Sequence, residues 1–219
     1  IDAARTHGKH AIAYLPTGTY VVTKPLRVTG KNYFIGGTGF RTGLLWKGPE
    51  GGNIMDVVDP QHITVENMNV GSHDVASTMN NACDILQTGT APSSEILYDD
   101  VSVWGMYQKD PFHKGLWLRD LGAGAVVRVS HVQGNIHLVD AARATVLLAN
   151  SYEGSVVVEG KSKQRDGFLG ILTRLGTICT HALYLKDNQS LVASDFYVEQ
   201  ADNAFSLEGN PDDPPGRLT

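Results

Sequence analysis

Asp56 and Asp84 each stand second in a short apolar pentad, Met55-Asp56-Val57-Val58-Asp59 and Cys83-Asp84-Ile85-Leu86-Gln87. If these pentads stack as neighbouring strands, the carboxylates lie about 4.8 Å apart. Like charges that close repel unless a cation bridges them or they share a proton. Three readings stay open. Hard oxygen ligands of this kind hold Ca²⁺. As acid and nucleophile or base they cleave a glycosidic bond, their separation setting the stereochemistry. Otherwise they form a solvated acidic edge. Related pentads add Trp117 and Arg119, His137, and Tyr184 and Lys186. Trp117 and Tyr184 combine an apolar ring with a polar tip, a surface on which a sugar stacks or a loop rests. His137 is a candidate general base or a surface residue, because imidazole titrates near neutrality. Arg119 and Lys186 meet the carboxylates of an acidic ligand, or belong to a surface row of ion pairs with Glu159 and Glu208. The insertion Gly105–Lys114 supplies Lys109, Asp110, His113 and Lys114, a mixture of groups often found in functional loops. The basic turn Lys161–Arg165 meets acidic ligands or is simply solvated.

These residues are positioned by a repeat. Leu116-Trp117-Leu118-Arg119-Asp120 is echoed by Leu183-Tyr184-Leu185-Lys186-Asp187, and weaker echoes begin at Met55, Cys83, Ile136, Val156 and Phe205. Strand alternation sends the first and third residues of each pentad inward and the second and fourth outward. The inward set is then apolar throughout, from Met55 and Val57 to Phe205 and Leu207. Each such burial is worth about 1.5–3 kcal/mol, so a one-residue slip is strongly rejected. Asp56, Asp84, Trp117, His137, Val157, Tyr184 and Ser206 form one outward column. A second unit runs from Ile63 to Val70, Ile96 to Val103, Val146 to Glu153 and Leu191 to Val198. Its fifth place holds Asn67, Asp100, Asn150 or Asp195, residues suited to a sharp bend between strands. The related stretch Ala125 to Val132 carries Val129 there and breaks the pattern. Strand, bend, strand and loop recurring at solenoid spacing predict a right-handed parallel β-helix with three sheets, all-β, in one domain spanning 1–219.

The opening carries a family resemblance. Tyr14-Leu15-Pro16-Thr17-Gly18-Thr19-Tyr20-Val21-Val22, then Pro25 to Val28, then Gly36-Gly37-Thr38-Gly39-Phe40-Arg41-Thr42 resembles the start of pectate-lyase-superfamily domains. The match is specific over residues 13–45. It implies that residues 1–12 are the remnant of an N-terminal capping helix and 13–219 are stacked coils. A cap of this kind covers an exposed core and unpaired strand edges. The resemblance also implies a secreted, cell-surface or periplasmic protein acting on a polysaccharide or oligosaccharide, as a lyase or glycoside hydrolase. The alternative is a non-catalytic carbohydrate-binding or adhesive β-helix. In lyase relatives Ca²⁺ neutralises a uronate so that a base removes the α-proton; Asp56 and Asp84 would hold the ion and Arg119 or Lys186 act as base. Catalytic motifs of the polygalacturonases are absent from the chain, and Asp99-Asp100 belongs to the bend row.

Composition narrows the partners. A net charge of −5 without clusters of Lys and Arg argues against nucleic acid. No apolar run reaches the ~18 residues that a spanning helix needs. Cys83 and Cys179 lack metal spacing and read as core residues. A homo-oligomer is compatible with all of this. The missing initiator Met and the abrupt Pro214-Pro215 ending suggest a piece of a longer chain.

Overall fold

A computed structural model describes residues 1–71, 82–103, 114–141, 144–152, 154–160, 168–175, 179–187, 197–198, 201–209 and 211–212. The chain opens with α1 (Asp2–His7), followed by β1 (Ala11–Tyr14), β2 (Gly18–Val22), β3 (Leu26–Val28), β4 (Lys31–Trp46), β5 (Asn53–Val58) and β6 (Gln61–Val70). Next come β7 (Cys83–Gly89), β8 (Glu95–Val103), β9 (Lys114–Leu121), β10 (Val126–Val129), β11 (Val132–Gln133) and β12 (Ile136–Val139). The last strands are β13 (Thr145–Tyr152), β14 (Val156–Glu159), β15 (Phe168–Leu175), β16 (Cys179–Leu185), β17 (Tyr197–Val198) and β18 (Ala201–Leu207).

Among the described residues the fold is all-β apart from α1. One sheet runs β3, β5, β7, β9, β12, β14, β16, β18; the other runs β1, β4, β6, β8, β10, β13, β15, β17, with β2 beside β4 and β11 beside β8 and β13. Among the described residues every strand pairing is parallel. Strands adjacent in one sheet are separated in sequence by strands of the other, so the chain alternates between them. Val-, Ile- and Leu-rich strands suit this arrangement, because parallel sheets are covered on their faces. The inward residues of both sheets, including Met55, Val57, Ile85, Leu116, Leu118, Ile136 and Leu183 from one and Ile35, Val65, Ile96, Val127 and Val146 from the other, form one hydrophobic cluster. Phe205 and Leu207 differ from expectation: on edge strand β18 they are 43% and 65% exposed. At the opposite end α1 packs with Ala4 buried, and Arg5 Nη1 donates to Thr29 Oγ1 at 3.0 Å.

The motif residues of the opening hold this end together. Tyr20 OH donates to the carbonyl of Pro16 at 2.9 Å. Thr42, fully buried, accepts from the Thr38 N–H at 2.9 Å and reaches the carbonyls of Leu15 and Pro16 at 3.1 and 3.2 Å. A Cβ on Gly37 would lie 2.6 Å from the Asn67 carbonyl oxygen, so only glycine fits there.

Bends follow the expected chemistry, with two corrections of register. Asn67 (φ 53°) and Asp100 (φ 51°) are left-handed and bend β6 and β8 in mid-strand. They lie at the same level, between the pairs Glu66–Asp99 and Met68–Val101. In the next unit Val127, rather than Ala125, lies opposite Ile96. The fifth place therefore falls on His131 instead of Val129, and the strand breaks there into β10 and β11. Asp195 lies outside the described residues, as does the side chain of Asn150.

The second correction concerns the pentad of Cys83. Met55 is opposite Ile85 and Asp56 opposite Leu86, so the aligned pentad is Ile85-Leu86-Gln87-Thr88-Gly89. Both slips are of two residues. Such a slip leaves every side chain on its face, and alternation alone is blind to it. The inward place assigned to Cys83 thereby passes down the strand to Gln87, buried and accepting from Tyr98 OH at 2.9 Å. An unforeseen second row of left-handed residues marks the true register. Asp59, Asp120, Asp140 and Asp187 have φ between 45° and 53°, with Gly89 (φ 136°) and Gly160 (φ 134°) taking the equivalent place.

Candidate functional site

With the register corrected, the outward column reads Arg27, Asp56, Leu86, Trp117, His137, Val157, Tyr184 and Ser206. Asp56 sits between Arg27 and Leu86, and its Oδ1 accepts from Asn53 Nδ2 at 2.9 Å. Asp84 lies one pair before Ile85 and Leu116, level with Ile54 and Gly115. It is 0% exposed. The two carboxylates are therefore offset by two residues along adjacent strands, not directly opposite as the expected pairing has them. Among the described residues no group of three or more His, Cys, Asp or Glu is placed to hold a metal ion.

His137 also differs from its surface reading, being 1% exposed beside the fully buried Val157. A buried imidazole is out of reach of a polymer at the surface. His137 and Val157 divide the column into two accessible stretches, one centred on Trp117 and one on Tyr184. Cys83 bears a buried thiol at the level of Lys114. Burial pushes this thiol up to about 12, Asp84 and Asp56 adding to the rise and Lys114 opposing it. It is protonated near neutrality and reads as core, as expected; the side chain of Cys179 lies outside the described residues. Lys109, Asp110, His113 and the turn Lys161–Arg165 lie outside them too.

The two accessible stretches are built alike. In Lys114-Gly115-Leu116-Trp117-Leu118-Arg119 the Lys114 Nζ lies 3.8 Å from the Trp117 ring centroid and the Arg119 Cζ lies 5.3 Å from it. In His181-Ala182-Leu183-Tyr184-Leu185-Lys186 the His181 and Tyr184 rings lie 4.9 Å apart at 34°, and Lys186 Nζ is 5.8 Å from the Tyr184 ring. The reason is local. The pentad fixes the aromatic outward at its second place and a basic residue outward at its fourth. The residue two places before the pentad then folds onto the ring. Three strand spacings, about 14 Å, separate β9 from β16.

The copies differ in charge. Beside Trp117, Asp120 Oδ2 accepts from Arg119 Nε at 2.8 Å. Around Tyr184 the phenol donates to Glu208 and Lys186 pairs with Glu159 at 3.2 Å. The hydrogen bond to Glu208, then burial and the charges of Glu208 and Glu159, push the Tyr184 phenol up to about 12. The Trp117 copy is thus the more cationic. Trp117 Nε1 is buried without a hydrogen-bond partner among the described residues.

The chain matches no protein-family model, no curated protein and no solved structure. Function must come from the site. Sequence reasoning passed over His181, whose parity with Leu183 and Leu185 marked it as inward, and Arg27, which lies opposite Asp56. The signal for His181 was in the repeat: extending the echo of Leu116–Asp120 and Leu183–Asp187 by two residues aligns Lys114 with His181. A cavity of about 230 Å³ lies elsewhere, lined by Ile1, Ala13, Tyr14, Leu15, Leu26, Ile35, Leu44 and Met55. Its apolar lining at the α1 end of the core does not suit a sugar.

Proposed function

We propose that this chain is a right-handed parallel β-helix that binds an acidic polysaccharide along the face formed by β9, β12, β14 and β16. Parallel strands that alternate between two sheets, stacked left-handed Asn and Asp residues at the bends, and the right-handed preference of parallel crossovers support the solenoid reading. The opening motif supports kinship with the pectate-lyase superfamily, and with it a secreted or cell-surface setting. One observation carries the ligand class: the Trp117 ring with the charges of both Lys114 and Arg119 close to it. An aromatic face stacks on a sugar ring, and the flanking cations select one that bears carboxylate or sulfate.

Binding rather than cleavage of the polysaccharide chain is the better-supported activity. The offset of Asp84 from Asp56 along the strands and the burial of His137 favour this reading. Lys186, expected as a base, is engaged with Glu159. Electrophoresis of the protein through gels containing pectate, alginate or a neutral glucan tests this reading. Retardation by the acidic polymers alone, lost in Trp117→Ala, is expected. Unsaturated uronate absorbance or new reducing ends would overturn binding without cleavage of the polymer chain, and equal retardation by the neutral glucan the ligand class.

A further inference from the structure

The second aromatic stretch holds a Ser–His pair that sugar binding does not require. Ser206 lies opposite Tyr184 on edge strand β18, and its Oγ is 2.6 Å from His181 Nδ1. Both residues are partly accessible. The His181 ring leans on Tyr184, whose phenol is tied to Glu208, so the imidazole is held from its face while one nitrogen meets the hydroxyl. A hydroxyl hydrogen-bonded to a base whose orientation a third group maintains is the arrangement of an activated nucleophile. The Glu208 N–H donates to the Leu185 carbonyl on β16. By strand alternation the N–H of Leu207 faces the other side of β18, where no strand pairs among the described residues.

We infer that Ser206 and His181 form an esterase site that cleaves an O-acyl ester. The Ser206 oxygen forms a bond to the acyl carbon as its proton passes to His181 Nδ1, and the Leu207 N–H faces the developing oxyanion. The tetrahedral intermediate expels the alcohol, which takes the proton from His181, leaving an acyl-serine. Water then attacks the acyl carbon, gives one proton to His181 and releases the carboxylic acid, the Ser206 oxygen recovering its proton. Ester and water become alcohol and acid, with no other reactant. That the ester is an acyl group on a glycan rests on the binding reading above; the chemistry itself does not.

The tests separate the two. Hydrolysis of p-nitrophenyl acetate by the whole protein is measured for wild type, Ser206→Ala and His181→Gln, together with labelling by a fluorophosphonate probe mapped by mass spectrometry. The expected result is wild-type turnover that falls by about 100-fold or more in each variant, with the label on Ser206. Circular dichroism shows that each variant folds, as substitution of partly exposed side chains should allow. No wild-type rate above buffer, turnover unchanged in Ser206→Ala, or a label elsewhere overturns the site. Release of acetate from an acetylated pectin then reads the glycan part. Small-ester turnover without acetate release from the polymer overturns that part while leaving Ser206 and His181 in place.

Discussion

Gln87 and Tyr98 show how strongly single buried polar groups constrain this core. Both are fully buried, and the phenol donates to Gln87 Oε1 at 2.9 Å. Tyr98→Phe removes the donor and leaves the amide oxygen without it, a loss of about 1–3 kcal/mol. Adding Gln87→Leu to that variant removes the stranded group and should recover much of the loss. Urea unfolding of the two single variants and the double variant measures the coupling; additive losses would show that the bond is not a unit. Burial keeps the Tyr98 phenol protonated well beyond its usual range, and it does the same to the Cys83 thiol. Maleimide should therefore react slowly at Cys83 in the folded protein and rapidly after unfolding.

At the scale of the strand, register is the quantity to test. Asp56 and Leu86 are cross-strand neighbours, whereas Asp84 is offset from Asp56 by two residues. Cα atoms about 4.8 Å apart suit a disulfide, and an offset of two residues takes them to about 8 Å, beyond its reach. Oxidation of Asp56→Cys/Leu86→Cys should give a cross-link by peptide mass mapping, and Asp56→Cys/Asp84→Cys should not; the reverse would restore the aspartate pair. The left-handed row makes a second prediction. Asp140 has φ 51°, so Asp140→Gly should be tolerated while Asp140→Val loses about 1–2 kcal/mol. Gly89→Ala should be harmful as well, since its Cβ would lie 2.1 Å from Asp59 Oδ1. Thermal unfolding compares all three.

These elements also show how far the chain could be read before its structure. Alternation identified the faces, because a wrong face puts Asp, His or Trp into the core. It could not identify the level along the strand, because a slip of two keeps the faces, and an inward Cys83 looked better than an inward Gln87. The Asp and Gly residues with positive φ carried the missing information: Gly89 aligns with Asp59 only in the true register. Trp117, Arg119, Tyr184 and Lys186 were legible as a face, and Lys114 came from its loop. The burial of His137 and Asp84 was not legible, since covering an outward face depends on segments far away in sequence.

Across the whole molecule, one core joins both sheets, and its ionisable groups link stability to alkaline pH. Cys83 has an ordinary value near 9 and is pushed up to about 12, and burial also raises Tyr33 and Tyr98. The folded state binds more protons than the unfolded one in that window. The contribution of Cys83 is therefore complete below about pH 9 and lost as pH rises through about 12. Unfolding free energy should fall over this range, and less steeply in Cys83→Ala. At the surface, two aromatic and basic stretches lie about 14 Å apart, and the proposed function has one polymer engage both. On that proposal, binding should weaken with salt.

Calorimetric titration with an oligo-uronate and with its carboxyl-reduced, neutral counterpart tests the central claim most directly. Wild type should bind the uronate, bind the neutral oligomer markedly less well, and lose about tenfold in affinity for the uronate in Trp117→Ala and in Arg119→Ala. Equal affinity for the two oligomers, or unchanged affinity in both variants, would contradict it.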